Sequence, residues 1–209
     1  MSRLPSWIGQ HLAAVRALIV LTIITGVIYP LAVMGVAQVA FHRQANGSLV
    51  SYHGKTVGSS LLCQEFTDAK GNPLPQYFQP RPSNAAVTTD KTDYGCDPLA
   101  SGATNLGPNN PVLVKKINAY RQQVAQFNGL SPASVPPDAV TASGSGLDPD
   151  ISPAYAYLQA NRVAKARGLL PATVRALVTS HVQGRNLGFL GEPRVNVLEL
   201  NLALDNLTG

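Results

Sequence analysis

The chain has 209 residues, of which 45% are hydrophobic and only 13% charged, with a formal net charge of +5 and two cysteines. This balance excludes a disordered polyampholyte and a transporter wholly embedded in the bilayer, and the length suits one anchor and one domain. The cations are scattered, Lys115-Lys116 being their longest run, so they read as solvated faces and not as a nucleic-acid surface.

The first element is a run from Ala17 to Phe41 without a charged residue. At about 1.5 Å per residue it outreaches a hydrocarbon core of roughly 30 Å, which predicts a transmembrane helix over 17–41. Arg3 and Arg16 before it and the small residues Gly35-Val36-Ala37 within it resemble a signal peptide, but the apolar run exceeds the roughly 7 to 15 residues of a signal core. A buried core helix is a weaker reading, because a soluble helix rarely stays uncharged for so many turns. Arg3 and Arg16 on one side are matched by His42, Arg43 and Lys55 on the other, so charge alone does not orient the span. Inside it, Pro30 follows Tyr29 and stands four residues after Gly26, predicting a kink, while Thr22, Thr25 and Gln38 offer polar contacts. Gly26, Tyr29 and Pro30 are the candidate residues for contact with a partner helix, the alternative being a lipid-facing tether.

After the span, Gln44–Tyr94 is rich in Gly, Asn, Ser, Pro and Thr, with β-capable pieces at Ser48–Tyr52, Thr56-Val57 and Ser60–Phe66. Asn110-Pro111 then opens an amphipathic helix carrying Val114, Ile117, Tyr120, Val124 and Phe127, and Gly129 stops it. Ser131–Asp150 is a Pro-, Ser- and Gly-rich segment that reads as a functional loop. Ser152-Pro153 starts a second helix that ends at Gly168, and Pro171 a third that runs to about Val182. The run Val195–Leu204 partly alternates like a strand, yet Asn196 and Glu199 have capping-box spacing and the Leu, Glu and Ala residues that follow favour helix. Residues 42–209 therefore read as one α+β domain.

Chemistry is sparse. No phosphate-binding Gly-x-x-x-x-Gly-Lys-Ser/Thr loop occurs, and Asp90-Lys91-Thr92-Asp93 departs from the phosphorylation motif of P-type ATPases at its fourth position and, with Tyr94, at its fifth. No Gly-x-Ser-x-Gly elbow accompanies the dispersed histidines, and His181 reads as a helix-terminus residue. Asp148 and Asp150 do not continue as an EF-hand, since Pro153 and Gln159 occupy its glycine and glutamate positions, so no metal site is expected. Ser143–Gly146 is a flexible loop whose amides can approach an anion, although such runs are more often plain turns. Cys63 and Cys96 lack zinc spacing and leave open a disulfide in an oxidising compartment.

Strings along nearly the whole chain together resemble one family. They include Tyr29-Pro30-Leu31, Gly58-Ser59 to Gln64, Tyr77-Phe78 to Arg81-Pro82-Ser83, Ala100-Ser101-Gly102 to Asn105–Pro108, Ser143–Pro149, Ile151–Pro153, Gln159 with Arg162-Val163, Ala166–Leu169 and Gly191–Leu198 with Leu200-Asn201. The family is the C subunit of the Kdp-type potassium-transporting P-type ATPase of bacteria and archaea. The resemblance implies a non-catalytic subunit of a high-affinity potassium uptake complex in the bacterial inner membrane. Its partners would be a potassium-conducting A subunit, an ATP-hydrolysing B subunit and a small F subunit.

The implied topology puts residues 1–16 in the cytoplasm, a single pass at 17–41 and the domain 42–209 outside. The implied role is stabilising assembly, together with a catalytic-chaperone effect on the ATP affinity of the B subunit. That effect needs no firmly bound cofactor here, and a direct nucleotide contact would map onto Ser145, Gly146 and Gln159. Against the family pattern, Cys63 replaces a usual Gly and Cys96 is additional, which points to a Cys63–Cys96 bridge. Asp150 and Gln183 also depart from the pattern. The runner-up function is a membrane-anchored binding protein for a small ligand or ion; an anchored hydrolase lacks a nucleophile constellation.

Overall fold

The structure is a computed structural model that describes residues 5–85 and 95–208. The Asp90–Asp93 string and Arg3 lie outside the described residues. The chain divides into two compact units, Met1–Ser48 and Leu49–Gly209.

In the first unit, α1 (Ser6–Ile23), a π turn (Ile24–Ile28) and α2 (Tyr29–Ala40) form one continuous helix of 35 residues. At about 1.5 Å per residue this is about 52 Å, well beyond a hydrocarbon core. The helix starts eleven positions before the apolar run, at Ser6 and not Ala17. Between Pro5 and Arg16 the sequence contains no proline and only one glycine, Gly9, so nothing stops the helix where the hydropathy changes. It ends at Ala40, where Phe41 leaves helical geometry at φ −137°. A single turn, α3 (His42–Ala45), follows, and the amide of Asn46 pairs with that of Gln38 at 3.1 and 3.3 Å.

The second unit opens with a hairpin of β1 (Leu49–Tyr52) and β2 (Lys55–Ser59), paired antiparallel with Leu49 opposite Ser59 and a bulge after Val50. Its turn, His53-Gly54, has both φ angles positive, 47° and 76°. This is the geometry that closes a two-residue hairpin against the strand twist. The piece Ser60–Phe66 is not a strand. The Cys63 amide goes to the Leu147 carbonyl at 3.0 Å, so this segment is tied down by a loop and, among the described residues, pairs with no strand.

Helix α4 (Pro111–Asn128) is capped by the Asn110 side chain on the Val112 amide at 2.9 Å and stopped by Gly129 at φ 67°. α5 (Pro153–Arg167) repeats the device with Ser152 and Gly168, and α6 (Pro171–His181) follows. Strands β3 (Asp150–Ile151) and β4 (Val195–Asn196) form a minimal antiparallel pair, and β4 runs directly into α7 (Val197–Thr208). The Asn196 side chain accepts the Glu199 amide at 3.1 Å, so the ambiguous C-terminal run is strand for two residues and helix thereafter. Val163, Val174, Val178, Leu200 and Leu204, all fully buried, join Phe78 in a core made chiefly by α5, α6 and α7. The unit is mixed helix and sheet, as the α+β reading has it, with the sheet reduced to two short ribbons.

Candidate functional site

One surface and one scaffold hold most of the residues that the sequence singles out. The surface lies on the long helix. Proline has no N–H, so Pro30 cannot bond the carbonyl of Gly26, and its ring crowds that carbonyl. The helix accommodates this as the five-residue π turn just before Tyr29. The Thr25 hydroxyl donates back to the Leu21 carbonyl at 2.7 Å, so that polar group is locally satisfied. Below the turn, Tyr29, Ala32, Val33, Val36, Ala37 and Phe41 line a shallow groove of about 410 Å³. Small side chains between two aromatics on one face let another backbone approach closely. Gly26 lies within the π turn and, like Pro30, does not line the groove, and no residue of α1 or α2 is buried.

The scaffold is a clamp of loops distant in sequence. Cys63 and Cys96 are joined by a disulfide, with Cα atoms 5.4 Å apart. The Ser83 hydroxyl donates to the Gly146 carbonyl at 2.6 Å and accepts the amides of Ala85 and Cys96 at 3.0 and 2.9 Å. The Gly102 amide and the Ser101 hydroxyl both donate to the Ser145 carbonyl, at 2.8 and 3.0 Å. Gly146 has φ +76°, and a Cβ there would lie 2.7 Å from Ala85 Cβ, 2.7 Å from the Gly102 oxygen and 2.8 Å from the Ala85 nitrogen. Glycine is required here twice over, by conformation and by space. The Arg81 guanidinium completes the clamp, meeting Asp148 at 2.8 Å and the Thr141 carbonyl at 3.1 and 3.0 Å.

Beneath the clamp, the segment 75–79 is pinned to α5 and α7 by buried amides. Gln159 accepts the Gln79 N–H at 2.8 Å and donates to the Gln79 carbonyl at 3.0 Å; Asn201 does the same for Phe78 at 2.8 and 2.9 Å. Arg162 donates to Gln159 Oε1 at 2.6 Å, to the Tyr77 carbonyl at 3.0 Å and to Asn128 at 2.9 Å, with its guanidinium 4.3 Å from the centre of the Phe127 ring. Burial lowers the Arg162 guanidinium to about 10, which still leaves it charged near neutral pH. Arg167 bonds the Gln76 carbonyl at 2.8 Å and Asp205 at 2.6 Å.

Sequence reasoning noted Gln159 with Arg162, and Asn201, as parts of strings, but not this pinning role. Gln159, Arg162 and Asn201, polar residues on two helices that otherwise turn apolar side chains to the core, were the available signal.

The three nucleotide candidates fall into two places. Ser145 is exposed and Gly146 buried within the clamp, whereas Gln159 is fully buried with both amide atoms engaged against Gln79 and Arg162. Asp148 faces Arg81, and Asp150 faces Arg194 at 3.1 Å. Burial, reinforced by Asp148 and opposed by Arg194, raises the Asp150 carboxyl above the usual range. His181 Nδ1 lies 2.9 Å from the Leu177 carbonyl in the last turn of α6.

The model of the family described as K+-transporting ATPase, c chain (KdpC), matches residues 11–206. The potassium-transporting ATPase KdpC subunit of Streptomyces avermitilis is 49% identical over 207 residues, covering 93% of this chain and 92% of that protein. That of Gemmatimonas aurantiaca is 50% identical over 200 residues, with 95% and 94% covered. That of Mycobacterium tuberculosis is 49% identical over 204 residues, with 95% and 98% covered.

Proposed function

The chain belongs to the KdpC family, the c chain of the K+-transporting ATPase, and from that membership we propose that it is the membrane-anchored, non-catalytic subunit that stabilises assembly of the potassium-conducting and ATP-hydrolysing subunits. The observation that carries this reading is coverage: the family match runs from residue 11 to residue 206, through most of the long helix and across the clamp. Assembly would use the groove below the π turn, which Tyr29 heads; Gly26 lies within the π turn and Pro30 just after it, and neither lines the groove. The proposed topology is single-pass with the N-terminus in the cytoplasm and residues 42–209 outside. The Cys63–Cys96 disulfide supports it, because such bridges persist in oxidising compartments.

An effect on ATP affinity belongs to this proposal as a coupling free energy carried through the complex. Direct nucleotide contact gains no support from Gln159, whose amide is already committed to the backbone of Gln79. The test is a detergent pull-down of the tagged full-length chain with identification of what accompanies it. Two larger membrane subunits are expected, and Pro30→Leu lowers their recovery more than it lowers membrane insertion. The chain recovered alone, or the opposite ranking for Pro30→Leu, returns the helix to a simple tether.

A further inference from the structure

Most exposed apolar side chains of the second unit stand singly, as is ordinary for a protein surface. One group does not. Between Gln183 and Arg194, which exchange backbone hydrogen bonds at 2.8 and 3.0 Å, the chain folds out as a hairpin closed again by Asn186 and Leu190 at 2.9 Å in each direction. Its tip carries Leu187, Phe189 and Leu190, which are 83%, 68% and 50% exposed. Leu187 holds φ +53°, a left-handed conformation unfavourable for a bulky residue, and Gly188 and Gly191 supply the other positive angles. Arg185 and Glu192 brace the arms at 2.7 Å. A rigid turn that displays three large apolar groups is the feature of a surface element that is covered in use.

We propose that this tip inserts into the interfacial layer of the bilayer to which the chain is anchored. The proposal rests on reading Ser6–Ala40 as a membrane anchor. Connectivity supplies the reach. Segment 41–48, which links the long helix to β1, can extend no more than about 28 Å at about 3.5 Å per residue. The start of β1, Leu49, pairs with Ser59; the next residue, Ser60, accepts the Asn196 side-chain amide at 2.9 Å; and Ser60, Leu61, Gln183, Arg194 and Asn196 line one pocket at the base of the hairpin. The hairpin therefore springs from the same end of the domain at which the tether arrives. Its chemistry suits lipid: three apolar groups stand at the turn, and behind them the exposed Arg185–Glu192 pair forms a polar collar that can lie at headgroup depth.

The experiment uses the full-length chain reconstituted in vesicles of phosphatidylcholine and phosphatidylglycerol. Trp7 is the sole tryptophan, so Trp7→Phe with Phe189→Trp makes the tip the only emitter. The expected result is a blue-shifted emission that is quenched by lipids brominated near the headgroup end of the acyl chain. Leu170→Trp, 72% exposed at the α5–α6 junction, stays red-shifted and unquenched. A red, unquenched Phe189→Trp signal overturns the proposal. The same signal that becomes shielded only when the other ATPase subunits are added also overturns it, and assigns the tip to a protein partner. Val27→Trp in the Trp7→Phe background reports the anchor separately: its failure to be quenched by deeply brominated lipid defeats the anchor reading instead.

Discussion

Gly146→Ala is the substitution that most directly tests whether the loops of the second unit are clamped as described. Two effects combine. Holding alanine at φ +76° places its Cβ against the following carbonyl, at about 1–2 kcal/mol for a left-handed non-glycine residue. The Cβ must also find room where Ala85 Cβ, the Gly102 oxygen and the Ala85 nitrogen stand at 2.7, 2.7 and 2.8 Å, and two of those atoms are backbone. Forcing a methyl group into a packed site adds roughly 1–3 kcal/mol, so the loss is about 2–5 kcal/mol in all.

Gly168→Ala separates the two contributions. It has φ +66° but nothing within 4 Å of the added Cβ, so it carries the conformational part alone, about 1–2 kcal/mol. Both variants are measured by denaturant unfolding of the full-length chain in detergent with the disulfide intact. Equal losses for the two glycines would refute the close approach of the 143–148 loop to Ala85 and Gly102.

Reducing the Cys63–Cys96 bridge, whose ends are 33 residues apart, releases a loop whose closure contributes about 3–4 kcal/mol on the chain-entropy account. The unfolding midpoint should fall on adding reductant, and alkylation without reductant should add no mass; an unmoved midpoint contradicts the account. Gln159→Leu leaves the Gln79 N–H and carbonyl without their partners and removes an acceptor from Arg162, a loss of about 2–5 kcal/mol that appears in the absence of any nucleotide. Unchanged stability with a loss confined to ATP affinity would instead mark Gln159 as a ligand contact.

Because the Asp150 carboxyl is raised on folding, the folded state holds that proton to higher pH than the unfolded chain does, and the ionised form opposes folding. The opposition is absent below the unfolded carboxylate range and complete above the folded pKa. The stability of the native chain relative to Asp150→Asn should therefore improve as pH falls from about 7 to about 4. A difference that is flat or grows in the other direction rejects the burial argument.

What was legible in the sequence follows the range of the interactions involved. The caps at Asn110, Ser152, Gly129 and Gly168 act within a few residues, so α4 and α5 can be bounded from local chemistry. The Ser60–Phe66 piece has strand-like composition, but strand formation needs a partner, and its backbone meets the Leu147 loop instead. Hydropathy marks the uncharged run from Ala17, whereas the helix itself begins at Ser6, because membrane preference and helix preference end at different residues. The buried pinning by Gln159 and Asn201 joins residues 80 and 123 positions apart. A lone Gln on a helix carries no mark of which backbone it will meet, so its place in a family string was readable while its task was not.

The clamp and the long helix together bear on the proposed coupling of this subunit to ATP affinity. A coupling between sites is reciprocal: if this subunit raises the ATP affinity of the hydrolysing subunit by some factor, ATP must tighten the subunit's own hold on the complex by the same factor. Such coupling does not require this chain to touch nucleotide, only that its contacts differ between the ATP-bound and ATP-free complexes. Gln159 and Gly146 fit that description better as rigidifying elements than as contacts, since both are spent on fixing the 75–79 and 143–148 segments. A rigid domain on a membrane-anchored helix can transmit a difference in partner geometry, whereas one with loose loops would absorb it. Destabilising the clamp with Gly146→Ala should thus weaken ATP-dependent retention of the subunit together with the ATP affinity, by matching factors. A change in one without the other would mean that the two are not linked through this chain.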